Sequence, residues 1–464
     1  MFDKSVYVSR RQVLRSKVSS GLIFIPGNGE ASCNYADNTY LFRQDSTFLY
    51  YFGLDKPDLA AVIDVESGDE IIFGDDVEID DIIWMGPQPS MKEQAAEVGV
   101  AHTEPFCKLA ECLGAAKAKG RAIHFVPQYR GHNKILLNSL LGIPFEEMSK
   151  AASLELILAV VSQRLIKEPC EIEEIEKACD LGYAMHYTAM TMMKPGMVEQ
   201  ELVGVMEGVC HSGGYLTSFP TILSQHGETL HNHRHDGIIT DGKLCVIDAG
   251  AEIASHYASD FTRTLPCGGR FTQKQKDIYT IVATTNDYAR AMARPGITYK
   301  DVHLGAAKIM IQGLKNLGLV HGDVDEMVAA GVQGLFMPHG LGHNMGLDVH
   351  DMENLGENNV GYAPGQERAK QLGLGSLRMA RELEPGQVIT DEPGIYFIPA
   401  LIEKWKKEGT NAQYVDFAKL ESYYDFGGIR LEDDILITPT GARLLGHKRL
   451  PISVEEVEET MKNN

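Results

Sequence analysis

The stretch Leu244-Cys-Val-Ile-Asp248-Ala-Gly-Ala-Glu-Ile-Ala-Ser-His-Tyr-Ala-Ser-Asp260-Phe-Thr-Arg263 decides the fold, because an apolar run ends in one aspartate and a second aspartate follows twelve residues later. The first run is apolar and partly β-branched, and Gly242 precedes it, which predicts a buried strand. The run Tyr257–Thr264 is a possible hairpin partner. In an antiparallel hairpin, residues an even number apart can share one face. Two carboxylates placed in this way repel each other unless a cation lies between them, so the stretch predicts a metal site.

The composition is that of a globular protein with more than one domain. A chain of 464 residues favours two domains, and 44% hydrophobic and 23% charged residues are ordinary values. The 43 basic and 64 acidic residues give a net charge of −21. No basic field therefore exists to attract nucleic acid or an anionic membrane. No apolar run approaches the ~20 residues that a transmembrane helix needs.

The cysteines and the N-terminal segment bear on the compartment. Eight cysteines are scattered without a C-x-x-C pair, which predicts a reducing, cytoplasmic compartment without disulfides. Ser9-Arg-Arg-Gln-Val-Leu14 resembles a twin-arginine export signal. The apolar segment Gly21–Pro26 that follows is too short for an export core. We therefore expect residues 9–14 to be the exposed face of an N-terminal helix.

The pattern of strands and helices places a domain boundary near residue 165. Before it, the sequence predicts a compact α/β unit with short strands. After it, Pro169 suits the first turn of a helix, which Lys194-Pro-Gly196 would end at about Met193. Residues 352–377 are polar and glycine-rich, which predicts a long loop. Further helices are expected at Glu199–His211, Thr272–Ala293, Tyr299–Leu317 and Val454–Met461.

Two histidine-rich segments lead to different predictions. His226-Gly-Glu-Thr-Leu-His231-Asn-His233-Arg-His235 contains four histidines in ten residues, but the spacing does not match a zinc finger. A loop or a strand end beside an active site is the preferred interpretation. The segment from Phe336 to Asp351 holds three histidines among glycines that let the backbone approach a site closely. That density, after a paired-aspartate hairpin, favours function over a structural role.

Five candidate metal ligands stand at strand ends or glycine-rich turns: Asp248, Asp260, His343, Glu392 and Glu432. Their four carboxylates carry a charge that two divalent ions would neutralise, whereas one ion would leave half of it. Burying unpaired carboxylates is costly, so the electrostatics favour two metals. Oxygen ligands with one nitrogen suit Mn²⁺, Fe²⁺ or Co²⁺, with zinc as an alternative. Two such ions can hold a bridging hydroxide and polarise a carbonyl, which is the chemistry of hydrolysis.

These segments resemble a known family. His339-Gly-Leu-Gly-His343 with Asp348-Val-His-Asp351, Glu392-Pro-Gly-Ile-Tyr396 and Gly427-Gly-Ile-Arg-Leu-Glu-Asp-Asp434 are similar to the motifs of the "pita-bread" dinuclear metallopeptidases, in the aminopeptidase P and prolidase branch. Phe42-Arg-Gln-Asp-Ser-Thr-Phe48 extends the resemblance into the first domain. The resemblance implies an α+β fold: a creatinase/prolidase-type N-terminal α/β domain over residues 1–165 and a catalytic domain with a curved antiparallel sheet over residues 166–464.

The resemblance also implies how the ligands divide between two metals. Asp248 would chelate one ion, and Asp260 and Glu432 would bridge both. His343 and Glu392 would complete the second ion, and Mn²⁺ is the expected metal.

Other residues acquire roles only by this resemblance. Glu392 is similar to the general base, and His231 and His350 to histidines that stabilise the tetrahedral intermediate and carry protons. The residues assigned to substrate binding are His339, Arg378 and Arg430. Arg378 would suit a dipeptide's free carboxylate, and Arg430 also suits a role in supporting the ligands.

The implied activity is hydrolysis of the Xaa-Pro bond at the N-terminus of peptides, with Xaa-Pro dipeptide hydrolysis as the alternative. This bond is a tertiary amide with a rigid ring, and its imino nitrogen must be protonated as it leaves. A homodimer or homotetramer is expected. The aspartate pair is one residue wider than in relatives, which predicts a longer turn or a bulge. A non-catalytic peptide- or protein-binding module on the same fold is the other class considered, but such relatives lose ligands that this chain keeps.

Overall fold

The structure, a computed structural model, describes residues 1–463. Contacts divide this part of the chain into two compact units. The first unit contains Met1–Arg164 together with Met352–Asn359, and the second contains Leu165–Asp351 and the chain from Val360 onward.

A mixed five-stranded sheet organises the first unit, in the order β6 (His102–Glu104), β5 (Glu70–Phe73), β4 (Ala60–Asp64), β1 (Leu22–Pro26) and β7 (Ile123–His124). Strand β1 lies beside β4, to which it is antiparallel, and beside β7, to which it is parallel. Every residue of β1 is buried, which its apolar sequence Leu-Ile-Phe-Ile-Pro explains. The strands are β1 Leu22–Pro26, β2 Ser32–Tyr35, β3 Asn38–Thr39, β4 Ala60–Asp64, β5 Glu70–Phe73, β6 His102–Glu104 and β7 Ile123–His124. The helices are α1 Lys4–Ser16, α2 Ser46–Phe52, α3 Ile79–Met85, α4 Met91–Glu97, α5 Leu109–Ala118, α6 Gly131–Leu141, α7 Met148–Ala151 and α8 Leu154–Arg164.

The N-terminal helix forms, and Ser9, Gln12 and Val13 are exposed as predicted, but the prediction is wrong for the two arginines. Arg10 and Arg11 are 2% and 0% exposed. Arg10 donates to the carbonyl of Tyr50 and Arg11 to that of Tyr51, at 3.0 and 2.9 Å. Both carbonyls lie in the last turn of α2, where no intrahelical donor is available. The two guanidinium groups therefore cap a neighbouring helix, a use that the local sequence does not reveal.

The second unit begins with the predicted long helix, which runs from Pro169 to Met192. Pro169 occupies its first turn, and Glu168 and Glu171 form a reciprocal capping box. The predicted helices that follow are also present, with ends that differ by a few residues. From Leu165 onward the helices are α9 Pro169–Met192, α10 Glu199–Gly213, α11 Gln273–Met292, α12 Tyr299–Asn316, α13 Val324–Ala329, α14 Glu357–Val360, α15 Pro399–Glu408, α16 Phe417–Leu420 and α17 Val454–Thr460.

All strand pairs of the second unit are antiparallel within the described residues. They form two three-stranded and two two-stranded sheets among the described residues. The strands are β8 Leu216–Thr217, β9 Ile222–Ser224, β10 Leu244–Ala249, β11 Ala251–Glu252, β12 Phe261–Pro266, β13 Val388–Asp391, β14 Gly394–Tyr396, β15 Gly428–Arg430, β16 Asp433–Thr438 and β17 Gly441–Leu444.

The hairpin of β10 and β12 differs in register from a simple facing pair of aspartates. Asp248 pairs with Thr262, so Asp260 lies just before β12 and diagonal to Asp248 on the same face. The connection is longer than a tight turn, because β11 pairs with β8 instead and His256 adopts a left-handed conformation with φ of 68°. This turn absorbs the wide spacing of the two aspartates.

The predicted loop over residues 352–377 contains short helical segments at Glu353–Leu355, Glu357–Val360 and Leu374–Ser376. None of the helices within residues 1–463 combines the length and the apolar character that crossing a lipid bilayer requires.

Candidate metal centre

Strand pairing brings the predicted carboxylate ligands together. The amide of Glu432 donates to the carbonyl of Thr262 at 3.0 Å, in an antiparallel bridge that joins the chain before β16 to β12. Glu432 therefore lies beside Asp260 and the end of β10, where Asp248 stands. Asp248, Asp260 and Glu432 are 8%, 5% and 2% exposed, so the three carboxylates share a buried position.

A glycine-rich loop delivers His343 to these carboxylates. The His343 amide donates to Thr390 Oγ1 at 3.1 Å, and the Thr390 amide donates back to the His343 carbonyl at 3.0 Å. This pairing holds the loop against β13, which ends just before Glu392. Gly342 makes the approach feasible, since a Cβ there would come 2.1 Å from the Thr390 carbonyl oxygen.

The side chains of Asp260, His343 and Glu432 converge closely enough for one ion. One ligand atom from each of the three lies within 4.8 Å of the others. His343 Nε2 lies 3.4 Å from Asp260 Oδ2 and 4.0 Å from Glu392 Oε1. Glu392 therefore borders the same cluster.

Orphaned oxygen atoms show that this cluster suits a cation. Asp248 Oδ1, Asp260 Oδ1 and Glu432 Oε1 are buried and have no hydrogen-bond partner. A buried carboxylate oxygen without a donor is costly. Three such atoms at the ends of neighbouring strands, together with an imidazole nitrogen, form an oxygen-rich set that fits hard or borderline divalent ions.

The electrostatics of the cluster point the same way. Burial, followed by the charge of Glu432, raises the pKa of Asp260 well above its usual range. Burial and the charge of Glu392 do the same to the pKa of Glu432. Burial raises the pKa of Glu392 to about 8. These carboxylates repel one another when no cation is bound, and a cation would relieve both the repulsion and the desolvation.

The orientation of the His343 ring is fixed by the backbone. Its Nδ1 donates to the carbonyl of Asn344 at 3.0 Å, which leaves the lone pair on Nε2 facing the carboxylates. Burial lowers the pKa of His343 well below its usual range, so the ring is neutral. A neutral imidazole with a free Nε2 is the form that binds a metal.

A buried hydrogen-bond chain runs from Asp248 to His339. Arg430 donates to Asp248 Oδ2 at 2.5 Å and to the Tyr396 hydroxyl at 2.8 Å. His339 uses Nδ1 to donate to the carbonyl of Gly340, so its Nε2, 2.9 Å from the Tyr396 oxygen, accepts the hydroxyl proton. Burial raises the pKa of Tyr396 to about 12 and lowers that of His339 to about 3. Tyr396 therefore keeps its proton and donates it in the hydrogen bond to the neutral His339 ring.

Two motif glycines make room for the Tyr396 ring. A Cβ on Gly394 would lie 2.5 Å from the Tyr396 hydroxyl oxygen, and one on Gly428 would lie 2.4 Å from its Cδ1. Real Cβ atoms do not approach other atoms so closely. The glycines of the Glu-Pro-Gly-Ile-Tyr and Gly-Gly-Ile-Arg segments therefore serve the same aromatic ring.

The remaining predicted site residues differ in how directly they contact the candidate metal ligands. The His350 ring packs against the His343 ring, with centroids 4.0 Å apart. His231 is exposed, and the charges of Arg430 and Asp248 act on it; desolvation, followed by the charge of Arg430, lowers its pKa. The charge of Arg378 acts on Glu392, His343 and His231. Arg430 is 4% exposed and points to Asp248, Tyr396 and Thr262.

Sequence reasoning missed several residues of the site. Tyr396 stands in a quoted motif but received no role. Thr262 donates to Glu432 Oε2 at 2.7 Å and accepts from Arg430 Nε at 3.2 Å, which couples the two. Asp434 Oδ2 accepts from the amide of Asp260 at 2.9 Å. Thr262 and Asp434 could both have been found from their places, because Thr262 stands two residues after Asp260 and Asp434 stands two residues after Glu432.

Comparisons with known proteins bear on both units. A family model described as "Aminopeptidase P, N-terminal domain" matches residues 7–124, and one described as "Metallopeptidase family M24" matches residues 173–439. Human Xaa-Pro dipeptidase is 33% identical over 96% of this chain and 89% of its own length. A probable Xaa-Pro aminopeptidase of Aspergillus niger is 31% identical over 97% and 95%. Zinc-substituted Escherichia coli aminopeptidase P in complex with product has a TM-score of 0.81 at 29% identity, covering 99% of this chain and 98% of that one.

Proposed function

The chain belongs to metallopeptidase family M24, and we propose that it hydrolyses the bond between the first residue of a peptide and a following proline. The observation that carries this proposal is the buried group of Asp260, His343 and Glu432 with its orphaned oxygens. The relatives that match almost the whole chain are named as Xaa-Pro dipeptidases and Xaa-Pro aminopeptidases. The protein is thus an enzyme of the Xaa-Pro peptidase type.

We assign two divalent ions, with Mn²⁺ as the preferred metal and Co²⁺, Fe²⁺ or Zn²⁺ as alternatives. Bound there, such ions supply Lewis-acid polarisation of the scissile carbonyl and activation of water. The proposed ligands are Asp248, Asp260, His343, Glu392 and Glu432. The support is that three of them leave a buried oxygen without a donor and that His343 presents Nε2.

Glu392 is the proposed general base. Its side chain is 19% exposed, against 7% for Asp260 and 5% for His343, so it is more open to water and substrate than those two ligands. It also lies near the hydrogen-bond chain, with Oε2 3.7 Å from His339 Nδ1. A carboxylate that borders both the metal ligands and the open side can accept a proton from the attacking water.

His231 and His350 are proposed to stabilise the intermediate and to bring a proton to the departing proline nitrogen. Their exposure supports this, since His231 is exposed and His350 is half-buried, whereas the ligand His343 is buried. His339 is proposed to border the substrate. Arg430 is better assigned to holding Asp248, because its guanidinium faces Asp248, Tyr396 and Thr262.

The domain assignment is part of the proposal. Residues 1–165 form a creatinase/aminopeptidase P-type N-terminal domain, and residues 166–464 form the catalytic domain. The N-terminal family model ends at residue 124 and the M24 model begins at residue 173, so a boundary near residue 165 lies between them. The first compact unit also changes to the second after Arg164, although Met352–Asn359 groups with the first unit.

A second candidate is restriction to dipeptides, and Arg378 favours it. Its charge acts on Glu392 and His231, so a substrate near these groups would meet a cation. A dipeptide has its free carboxylate directly on the proline, at a distance that a nearby guanidinium can bind.

The test is release of the first residue or of proline by the Mn²⁺-loaded protein from Ala-Pro, Ala-Pro-amide and an Ala-Pro-Xaa tripeptide. Turnover of Ala-Pro alone indicates a dipeptidase. Turnover of the amide and the tripeptide as well indicates an aminopeptidase. A chelator-treated sample is the control, and absence of turnover from all three by the loaded protein refutes the proposed function.

We also propose that the protein acts in the cytoplasm as a homodimer or homotetramer on proline-containing peptides. The scattered free cysteines support the reducing compartment. Light scattering coupled to size-exclusion chromatography measures the assembly state directly.

A further inference from the structure

We propose that the ion pair between Lys167 and Asp351 is a positioning device that fixes His350 against the ligand His343. This inference rests on the proposed function, because it concerns a histidine assigned to that reaction. Neither Lys167 nor Asp351 was assigned any role from the sequence, and neither is a metal ligand.

The pair is buried and tightly enclosed. Lys167 Nζ lies 2.9 Å from Asp351 Oδ2, and both side chains are 1% exposed. Gly346 packs directly on it, since a Cβ there would lie 2.8 Å from Asp351 Oδ2 and 2.9 Å from Lys167 Cε. The Lys167 backbone is itself anchored, because its amide donates to the carbonyl of Gly386 at 2.8 Å. The cation therefore sits at a fixed point.

Asp351 connects the anchored Lys167 to the loop that carries His343 and His350. Its amide donates to the carbonyl of Asn344 at 2.9 Å, and its Oδ1 accepts from the amide of Asp348 at 3.3 Å. The Asn344 carbonyl also accepts the Nδ1 proton of His343 at 3.0 Å. One carbonyl oxygen thus joins the ring of the ligand His343 to the residue that follows His350.

The consequence is a defined relation between two imidazoles. His350 precedes Asp351 directly, and its ring meets the His343 ring at 4.0 Å between centroids with an interplanar angle of 52°. Movement of Asp351 would displace His350 and alter the hydrogen bond that orients His343. A misplacement of about 1 Å can reduce turnover by about 100-fold.

A role in stability alone does not account for this pair. Buried ion pairs are often replaced by apolar residues of similar volume without loss of stability. What an apolar pair would not supply is the Oδ1 acceptor for Asp348 and a fixed point for the residue next to His350. The carboxylate therefore has a geometric use that is separate from its charge.

The experiment compares Lys167→Met, Asp351→Leu and the double variant in the Mn²⁺-loaded full-length protein. Glu70→Gln is the matched control, since it breaks a partly buried ion pair with Arg11 in the other unit. The readouts are kcat and KM for the best Ala-Pro substrate, the melting temperature, bound Mn²⁺ and the rate at which diethyl pyrocarbonate modifies His350, followed by mass spectrometry. His350 is half-buried, so the reagent can reach it.

The expected result is a fall in kcat of about 10- to 100-fold in each single variant with KM unchanged. The double variant recovers the melting temperature, because neither member of the ion pair is left without the other. Its kcat stays low. Modification of His350 becomes faster in all three variants. Glu70→Gln changes only the melting temperature.

Two outcomes overturn the inference. One is a double variant that restores kcat together with the melting temperature, since only charge balance would then matter. The other is a rate of His350 modification by diethyl pyrocarbonate that is the same in the variants as in the wild-type protein. If the wild-type protein turns over no Xaa-Pro peptide, the proposed function fails, and the modification rate still decides whether the pair positions His350.

Discussion

Replacement of Gly428 by alanine is expected to disable the enzyme through a side chain that the substitution does not alter. The new Cβ would lie 2.4 Å from Tyr396 Cδ1 and 2.7 Å from the carbonyl oxygen of Gly227. Carbon atoms in contact are separated by about 3.5 to 4.0 Å. Because backbone blocks the other direction, the Tyr396 ring must move by about 1 Å.

The cost follows from the two hydrogen bonds of the Tyr396 hydroxyl. One is donated by the Arg430 guanidinium at 2.8 Å, and the other is donated to His339 Nε2, 2.9 Å away. A hydrogen bond to a charged group contributes about 1.5–3 kcal/mol and a neutral one about 1 kcal/mol. Loss of both therefore removes about 2.5–4 kcal/mol from the arrangement around Asp248. We expect kcat to fall by about 100-fold, with a smaller change in KM.

The assay is steady-state Xaa-Pro hydrolysis together with calorimetric melting. Gly441→Ala is the matched control, since Gly441 starts a strand of the same unit and a Cβ there meets no atom within 4 Å. Tyr396→Phe and the double variant complete a mutant cycle. In the Tyr396→Phe background, Gly428→Ala should lower the melting temperature without a further loss of kcat.

Two results would refute this reasoning. If the Gly428→Ala protein turns over substrate as fast as the Gly441→Ala protein, the Tyr396 ring does not need the space that Gly428 provides. If Gly428→Ala slows the Tyr396→Phe protein as much as the wild type, the effect does not pass through the hydroxyl.

Further predictions concern the metal, the substrate and a buried histidine. Asp260→Asn and Glu432→Gln are each expected to reduce bound Mn²⁺ and to abolish turnover, as measured by metal analysis after dialysis; full metal occupancy in both would contradict the ligand assignment. Arg378→Ala should raise KM for Ala-Pro but not for Ala-Pro-amide, and equal effects on the two would remove its carboxylate role. His303 is fully buried with no partner for either ring nitrogen, and burial lowers its pKa to about 4. The unfolded chain takes up this proton below about pH 6.5 and the folded chain only near pH 4, so stability present above pH 6.5 is lost as the pH falls through this window, by roughly 3 kcal/mol. Urea unfolding of the wild type and of His303→Leu at pH 7.5 and 4.5 should show a smaller loss in the variant, and equal losses would exclude His303 as the source.

The candidate metal ligands could be proposed from the sequence because binding a cation demands specific residue types, which here stand at strand ends or glycine-rich turns. Asp248 ends an apolar run and Asp260 lies in the run Tyr257–Thr264 that follows it. Four carboxylates with one imidazole imply a cation. The exact register could not be predicted, since the turn length decides whether Thr262 or Asp260 faces Asp248.

Features that depend on residues distant in the chain could not be predicted from the sequence. Nothing local shows that Arg10 and Arg11 would cap the last turn of another helix, because charged residues on a helix are usually exposed. The role of Tyr396 depends on Gly428, which reaches it only through the pairing of β14 with β15. Likewise, Lys167 meets Asp351 far along the chain, and no spacing rule connects the two.

The bridge between Thr262 and Glu432 has a consequence for the order of events during synthesis. The first carboxylates emerge from the ribosome with Asp248, but the cluster is complete only after Glu432 has emerged and paired with β12. Contacts so far apart along the chain carry a large loop-closure entropy, which slows folding. The metal therefore cannot nucleate this fold as zinc does in a small finger domain. A cell that is short of metal should accumulate folded, inactive enzyme that can be activated later, and not an unfolded chain destined for proteolysis.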